Sequence, residues 1–423
     1  MSWPIVTLDT LRSDEPRSIT DGPFGSNLAS RHYTDSGPRV VRLQNIGDGR
    51  FVDEKAHISQ EHFESLRTHE VVAGDLLLAS LGEVLPRACL APDTLGPAIV
   101  KADCIRVRLG TRVDPRWVLY SLQRPEIRRW AESRVHGVGR PRLGLKVIRQ
   151  IPIPLPALDE QQRIVDLLEG HLSRIDAGDA GLDDAARRAE SLRWSAAASA
   201  VGSAGGHRVR LGELGSVRNG IFVSRPGSTP DGVPILRIGA VRPLRLNLDD
   251  LRFSTRSQDD LAAADQLALP GDLLFTRYNG NPQFVGACAT VPHNAPALTY
   301  PDKLIRVRTR DPSIESAFLA LACSVGDARS QIQAAVRTTA GQAGISGSDL
   351  KNVELRLPEP HAQRAAVEQY NRARSTTARL IEGVTATRQR SGRLRQSLLI
   401  AAFSGRLTGR ASDLELMEEG VGA

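Results

Sequence analysis

Ile151-Pro152-Ile153-Pro154-Leu155-Pro156, running into Glu160-Gln161-Gln162-Arg163, is the stretch on which the reading of this chain turns. Its alternating apolar residues read as a short strand, and its prolines, which cannot donate to a ladder, end that strand and release the chain. Val353-Glu354-Leu355-Arg356-Leu357-Pro358 repeats the pattern, with Pro156 answered by Pro358 and Gln161 by Gln363, both at an offset of 202. From Pro156 onward that offset is constant: Val165 matches Val367, and Leu192-Arg193-x-Ser195 matches Leu394-Arg395-x-Ser397. Upstream it drifts. Ile105-Arg106-Val107-Arg108 recurs as Ile305-Arg306-Val307-Arg308 at 200, and Ala88-Cys89 as Ala287-Cys288 at 199. Gly74-Asp75-Leu76-Leu77 recurs as Gly271-Asp272-Leu273-Leu274 at 197, and Val41-Arg42-Leu43 as Leu236-Arg237-Ile238 at 195. Loops absorb insertions and packed helices do not, so the drifting parts are expected to be loop-rich and the constant parts rigid helices. One module therefore stands in the chain twice.

Each half begins with about 150 residues of short β-rich runs, such as Val40 to Leu43, Leu76 to Ala79 and Cys104 to Val107, punctuated by Gly, Pro and Asn. These read as mixed α/β globules, and Cys89 and Cys288, as repeat equivalents, read as small core residues. Beyond each proline exit, apolar residues fall every seven positions, at Leu168, Ile175, Leu182, Ala189 and Ala196. Gly178, Ala185 and Leu192 form a second row of that expected coiled-coil seam. The partner seam is Tyr370, Thr377, Val384, Ser391 and Leu398, with Leu380, Thr387 and Leu394. Gly178, Gly181, Gly383 and Gly392 are expected to mark kinks. Residues 159–200 hold nine Asp or Glu against five Arg, and residues 361–410 hold ten Arg against two Glu. Opposite charge favours the two helices pairing with each other, as a matter of partner choice rather than stability; a pair of ordinary core helices is the alternative. The fold class is therefore α+β, two repeated mixed α/β domains separated by two long helices that pair as an antiparallel coiled coil with pseudo-two-fold symmetry. Such pairing would place one globule at each end of helices about 60 Å long.

The 423 residues carry a formal charge of +7, with 41% apolar and 24% charged residues, which fits folded domains and suits an anionic partner. Arg outnumbers Lys by 50 to 5; a GC-rich genome alone produces that bias, yet guanidinium forks also suit phosphates and guanine edges. The four cysteines lack close C-x-x-C spacing and the histidines lack an H-E-x-x-H pattern, so no metal site is expected. The N-terminus has no leader pattern and no apolar run reaches membrane-spanning length, which reads as a reduced, cytoplasmic protein. No lysine follows a glycine, which excludes the end of a phosphate-binding P-loop. No dinucleotide fingerprint or G-x-S-x-G elbow is present. Asn281-Pro282-Gln283-Phe284 is similar to the N-P-P-[FY] motif of adenine methyltransferases, but the second proline and a methyl-donor loop are missing, so it reads as a polar turn facing DNA. A nuclease built from Pro301-Asp302 and Asp349-x-Lys351 has the wrong spacing.

Taken in order, Asp21-Gly22-Pro23-Phe24-Gly25-Ser26-Asn27-Leu28, Val41-Arg42-Leu43-Gln44-Asn45-Ile46-Gly47-Asp48-Gly49, Gly74-Asp75-Leu76-Leu77, the proline exit with Glu160-Gln161-Gln162-Arg163, and Ser397-Leu398-Leu399-Ile400-Ala401-Ala402-Phe403-Ser404-Gly405-Arg406-Leu407 resemble the specificity subunits of type I restriction-modification systems. The resemblance runs from about residue 5 to 410. It implies a non-catalytic subunit with target-recognition domains at 1–155 and 206–357, conserved helical spacers at 156–205 and 358–410, and a tail at 411–423. It implies double-stranded DNA read as a bipartite target. It also implies two methyltransferase subunits carrying S-adenosylmethionine and two translocase-nuclease subunits using ATP and Mg, with no cofactor in this chain. Two departures stand out: Arg218-Asn219-Gly220-Ile221-Phe222 replaces the Gly-Pro-Phe-Gly loop in the second half, and Ala196-Ala197-Ala198-Ser199-Ala200 replaces the bulkier Leu398-Leu399-Ile400-Ala401-Ala402. A self-sufficient DNA adenine methyltransferase and a repeat scaffold that does not bind DNA are the competing readings.

Base readers are expected among Arg, Asn, Gln and Ser on glycine-flanked loops, where backbone approaches a groove. In the first half these are Ser80, Glu83 and Arg87 on the loop after Leu76 to Ala79, with Arg140 and Arg142. In the second they are Arg277, Tyr278, Asn279, Asn281 and Gln283, with Arg337 and Gln342.

Overall fold

A computed structural model describes residues 3–137, 141–223, 227, 232–339 and 342–407. The chain divides into two compact units, Met1–Leu182 with Thr385–Ala423, and Asp183–Val384.

In the first unit the strands are β1 (Ile5–Thr7), β2 (Ile19–Asp21), β3 (Tyr33–Val41), β4 (His57–Ile58), β5 (Glu70–Val71), β6 (Leu76–Ala79), β7 (Arg87–Leu90), β8 (Ala98–Val100), β9 (Cys104–Val107) and β10 (Pro152–Pro154). The helices are α1 (Gln60–Ser65), α2 (Pro115–Leu122), α3 (Pro125–Glu132), α4 (Leu145–Arg149) and the long α5 (Leu158–Ser203), which continues into the second unit. One antiparallel sheet runs β2-β9-β6-β7, a second runs β4-β3-β8-β5 with β3 and β8 parallel, and β1 pairs with β10.

The second unit repeats this topology. Its strands are β11 (His207–Arg210), β12 (Gly215–Asn219), β13 (Val233–Ile235), β14 (Val241–Arg242), β15 (Arg245–Leu246), β16 (Arg252–Ser254), β17 (Leu267–Ala268), β18 (Leu273–Thr276), β19 (Tyr278–Asn279), β20 (Cys288–Thr290), β21 (Leu298–Thr299), β22 (Leu304–Thr309), β23 (Arg337–Thr339), β24 (Gln342–Gly344) and β25 (Glu354–Leu357). Its helices are α6 (Leu211–Leu214), α7 (Gln258–Ala263), α8 (Ser316–Ser324), α9 (Gly326–Ala334), α10 (Gly347–Lys351) and α11 (Pro360–Phe403), the last returning to the first unit. The sheets run β12-β22-β18-β20 and β16-β13-β21-β17, with β13 and β21 parallel, and β11 pairs with β25.

Strand alternation explains why the central strands β6 and β18 are almost wholly apolar. Successive side chains of a strand face opposite ways, and both faces of these strands are covered. Leu76 and Leu78 enter one core with Trp117 and Ile105, while Leu77 and Ala79 enter another with Cys89 and Cys104. In the second unit Leu273 and Phe275 join Cys288 and Phe318, whereas Leu274 joins Ala289 and Leu304. Cys89 and Cys288 are core residues, as the repeat implied. Burial pushes the Cys89 and Cys104 thiols up to about 12. The expected strands Leu76 to Ala79 and Cys104 to Val107 are β6 and β9. The expected strand Val40 to Leu43 stops at Val41 and turns into a 3-10 segment, Leu43–Asn45, because Asn45 accepts the Arg42 N–H at 2.8 Å.

The repeated motifs are structural devices. Gly74 and Gly271 take positive φ of 81° and 85°, where glycine is unstrained. The next residue closes the turn: Asp75 accepts from Val72 N at 2.9 Å and Asp272 from Leu269 N at 2.7 Å. Each buried aspartate also receives a guanidinium fork, Asp75 from Arg108 at 2.9 and 3.0 Å, and Asp272 from Arg308 at 2.7 Å twice. Arg106 and Arg306 are buried with their N–H groups on backbone oxygens: Arg106 on Glu70 and Arg17, Arg306 on Asp265 and Leu267. The glutamines at the helix starts act alike. Gln161 accepts from Asp114 N and donates to Pro156 O, both at 2.9 Å; Gln363 accepts from Glu315 N and donates to Pro358 O, both at 2.8 Å.

Both long helices are unbroken through their glycines. The first heptad row lies buried or half-buried on each, from Leu168 to Ala196 and from Tyr370 to Leu398. The second row differs from expectation: Gly178, Ala185, Leu192, Leu380 and Thr387 are exposed, and only Leu394 is half-buried. On α5 the companion row is Leu172, Asp179, Ala186 and Arg193, four residues after each first-row position instead of three. The alanine stretch of the first spacer is also explained by packing. Ala197 and Ala200 sit in a core with Phe318, whereas their equivalents Leu399 and Ala402 sit with Trp117 and Phe403. Among the described residues no helix is long and apolar enough to cross a membrane.

Candidate nucleic-acid interface

Each unit carries a small β ribbon beside the end of its central strand, and the two ribbons share a hydrogen-bond frame. In the first unit Ser80 N donates to Asp103 O at 2.9 Å and Leu143 N to Ser80 O at 2.8 Å. In the second Arg277 N donates to Lys303 O at 2.8 Å and Ile345 N to Arg277 O at 3.0 Å. Arg142 bridges Leu81 and His136, as Gly344 bridges Tyr278 and Arg337. The frame thus makes Ser80 equivalent to Arg277, Asp103 to Lys303, and Arg142 to Gly344.

On that frame the expected readers fall into place unequally. In the second unit Tyr278 and Asn279 lie on β19, next to β24 with Gln342 and then β23 with Arg337, so four of the seven share one three-stranded ribbon. The Tyr278 ring makes two cation–π contacts, with the Arg277 guanidinium at 4.8 Å and the Lys303 ammonium at 5.1 Å. Gly344 permits this, since a Cβ there would meet the ring at 2.5 Å. Arg277 is half-buried and donates to Asp302 O at 3.2 Å. Arg337 is 83% exposed, with Asp349 at 3.8 Å, and Gln342 is exposed. The Asn281-Pro282-Gln283-Phe284 segment is a polar turn. Asn279 accepts from Asn281 N at 2.9 Å, and Asn281 from Gln283 N at 3.0 Å, leaving Asn281 and Gln283 exposed at its tip.

The first unit gathers fewer of them. Ser80 is buried with its hydroxyl on Asp103 O at 3.0 Å, a brace for the loop rather than a group facing a ligand. Arg87 lies on β7, half-buried, and donates to Leu43 O at 3.1 Å. Glu83 is exposed on the loop. Arg142 pairs with Asp103 at 2.8 Å and lies 5.8 Å from the Phe24 ring. Arg140 lies outside the described residues.

Three residues escaped the sequence reading. Lys303 directly follows the Pro301-Asp302 decoy. Phe24 and Phe222 are 47% and 77% exposed. A Cβ on Gly22 would meet Lys101 backbone at 2.2 Å and one on Gly220 would meet Pro301 backbone at 2.2 Å, so the two loops are equivalent despite their different sequences. That corrects the expected loss of this loop in the second half: its Gly-x-Phe core is kept. Asp349 spends its carboxylate on Ser346 N at 2.9 Å and Oγ at 2.6 Å, capping α10, which removes it from any nuclease centre. Among the described residues no cluster of three or more His, Cys, Asp or Glu could hold a metal ion.

The family described as Type I restriction modification DNA specificity domain matches residues 101–178, from β9 through the ribbon into α5. The EcoKI specificity subunit of the type I restriction enzyme from Escherichia coli K12 is 33% identical over 276 residues, covering 62% of this chain and 58% of that subunit. The StySPI specificity subunit from Salmonella potsdam is 25% identical over 437 residues, covering 96% of this chain and 89% of that one. The chain is similar to specificity subunits of type I restriction enzymes and carries a match to their DNA specificity domain at residues 101–178. In fold it is similar to a chain solved in work on complex assembly and conformational transition of the type I R-M system, with a TM-score of 0.68 at 21% identity over 96% of this chain and 98% of that one. The chain spans somewhat over half the length of the E. coli subunit that it matches.

Proposed function

We propose that this chain is the non-catalytic, sequence-reading subunit of a type I restriction-modification enzyme, with recognition domains at 1–155 and 206–357 each reading one half of a split double-stranded DNA target. The observation that carries the reading is one backbone frame built twice with different side chains on its ribbon. A shared frame carrying Asp103 and Arg142 in one unit, and Lys303, Tyr278 and Arg337 in the other, suits two readers of different sequences. Arg337, Gln342, Asn281, Gln283, Glu83 and Arg142 are the proposed base-edge or phosphate contacts, and Arg277 acts by holding Tyr278.

The spacers 156–205 and 358–410 pair antiparallel under this reading. In the first unit Leu168 and Leu172 pack with Leu398 and Leu399, and Arg395 reaches Asp176 at 2.5 Å. In the second unit Ala197 and Ala200 share a core with Ala366 and Tyr370. Early residues of one helix meeting late residues of the other support the antiparallel sense, with a pseudo-two-fold axis relating the halves. Two methyltransferase subunits supplying S-adenosylmethionine and two ATP- and Mg-dependent restriction subunits dock on this frame in the cytoplasm. Replacing residues 1–155 with a foreign recognition domain, then sequencing the host methylome, tests the reading: one half-site changes and the other stays. Simultaneous change of both halves overturns it.

A further inference from the structure

The second unit holds a basic cleft of about 540 Å³ beside its ribbon, lined by Arg193 and Trp194 of α5, Arg242, Pro243 and Arg245 of the β14–β15 hairpin, and Gln283, Phe284 and Arg329 across from it. Four guanidinium groups face one carboxylate, Glu190, which accepts from Arg193 and from Trp194 Nε1. Arg193 stacks over Trp194 at 4.8 Å and Arg242 over Phe284 at 4.7 Å, so aromatic faces hold the guanidinium planes. Neither Arg242 nor Arg245 has a carboxylate within ion-pair distance among the described residues.

The chain contains its own control. Hairpin Val241–Leu246 corresponds to the bridge between Ile46 and Phe51 in the first unit, and Leu244 and Gly49 take the same positive φ at 58° and 82°. By this register Pro243 replaces Asp48, and by the starts of α3 at Pro125 and α9 at Gly326, an offset of 201, Arg329 replaces Arg128. Asp48 binds Arg128 at 2.6 Å and neutralises the first site. In the second unit proline removes the carboxylate, and Arg329 is held by backbone instead, at Val285 O (3.0 Å) and Gln283 O (2.6 Å). The uncompensated charge is therefore specific to the second unit.

We infer that this cleft is a sequence-independent clamp for the DNA phosphodiester backbone flanking the second half-site, with no counterpart in the first unit. The inference rests on the DNA-reading function proposed above. The covalent continuity supports DNA over another anion: the turn whose Gln283 and Phe284 line the cleft leads directly from the ribbon strand carrying Tyr278 and Asn279. Clustered guanidiniums that release counterions supply affinity without base preference.

The test uses the full chain co-purified with its methyltransferase subunits, and a mixed-sequence 30-base-pair duplex as probe, titrated by fluorescence anisotropy between 50 and 200 mM KCl. R242Q/R245Q is expected to lower the slope of log K against log salt by about 2, and P243D, which restores a carboxylate beside Arg329, by about 1. The methylated motif in the host stays unchanged in both. R50Q, at the position matching Arg245 in the first unit, leaves the slope as it is. Unchanged slopes in folded R242Q/R245Q and P243D, with wild type binding DNA normally, overturn the clamp alone. Loss of methyltransferase co-purification with the slope intact also overturns it, in favour of an acidic protein partner. A wild-type complex that binds no DNA overturns the functional reading itself.

Discussion

Gly344→Ala is the most economical probe of the second ribbon. Its Cβ would stand 2.5 Å from Cδ1 and Cε1 of Tyr278, against an ordinary contact of 3.4–4 Å, so the ring must retreat by about 1 Å. The ring contacts Arg277 and Lys303, at 4.8 and 5.1 Å, and displacement weakens both cation–π contacts, worth about 0.5–1 kcal/mol each at such a partly exposed site. Overpacking adds a cost within the usual 1–3 kcal/mol, so together with the weakened contacts the unit loses stability of about 2–4 kcal/mol. Function suffers differently. A displaced reader costs about 1–3 kcal/mol of discrimination, roughly ten- to hundredfold, at the positions that Tyr278 and its neighbours contact. Methylome sequencing of a host carrying the variant should show the second half-site relaxed and the first retained. Unchanged fidelity at both half-sites, in a variant whose thermal midpoint has fallen, would refute the placement of Tyr278 on the reading surface.

Gln363→Leu strands Glu315 N–H and Pro358 C=O, and Gln161→Leu strands Asp114 N–H and Pro156 C=O. Each is expected to cost about 2–5 kcal/mol in urea unfolding, since orphaned buried groups cost about 1–3 kcal/mol apiece. A loss under 0.5 kcal/mol in either would contradict the structural role given to them. Asp265 has its carboxyl held below the ordinary 3.8 by hydrogen bonding from Arg306, with the Arg306, Arg308 and Arg218 charges adding to it. A depressed folded value means stability that is present above about pH 4 and lost as pH falls through the folded value. The stability gap between wild type and Asp265→Asn should therefore narrow on acidification below pH 4, and a constant gap would remove Asp265 from the acid response.

The parts of the fold legible in the sequence are those fixed by local chemistry and read twice. Leu76 to Ala79 and Cys104 to Val107 have both faces covered; the continuous apolar run of the first shows this without knowledge of partners, and the second was legible because Ile105 to Arg108 recurs as Ile305 to Arg308. The helix starts were legible because proline ends β10 and β25 regardless of context. The second heptad row was not, because Gly178, Ala185 and Thr387 carry little apolar signal and three- and four-residue spacings differ only once a partner is in place. Among the site residues, Ser80 looked like a reader because its residue type suits both a base contact and a loop brace. Only the burial imposed by Asp103 and Leu143 separates the two roles. The shared Gly-x-Phe core at Phe24 and Phe222 was obscured because backbone proximity to Lys101 and Pro301, not side-chain identity, makes those loops equivalent.

Several of the motifs that make the chain recognisable are poorly placed to touch a ligand. Gly-Asp-Leu-Leu, the paired arginines and the helix-start glutamines are turned inward, closing turns and filling backbone hydrogen bonds. The ribbon is also held by backbone bonds, which are indifferent to the side chains mounted on them. Ser80 can become Arg277, Asp103 can become Lys303 and Arg142 can become Gly344 while the same N–H groups meet the same carbonyls. Charge at the equivalent position reverses from Asp103 to Lys303 while the backbone bonds are kept, and the buried forks at Asp75 and Asp272 are the same in both units. A module built this way can alter the surface it presents without altering how it folds. That separation accounts for two halves that share a topology throughout yet present different surfaces on their ribbons.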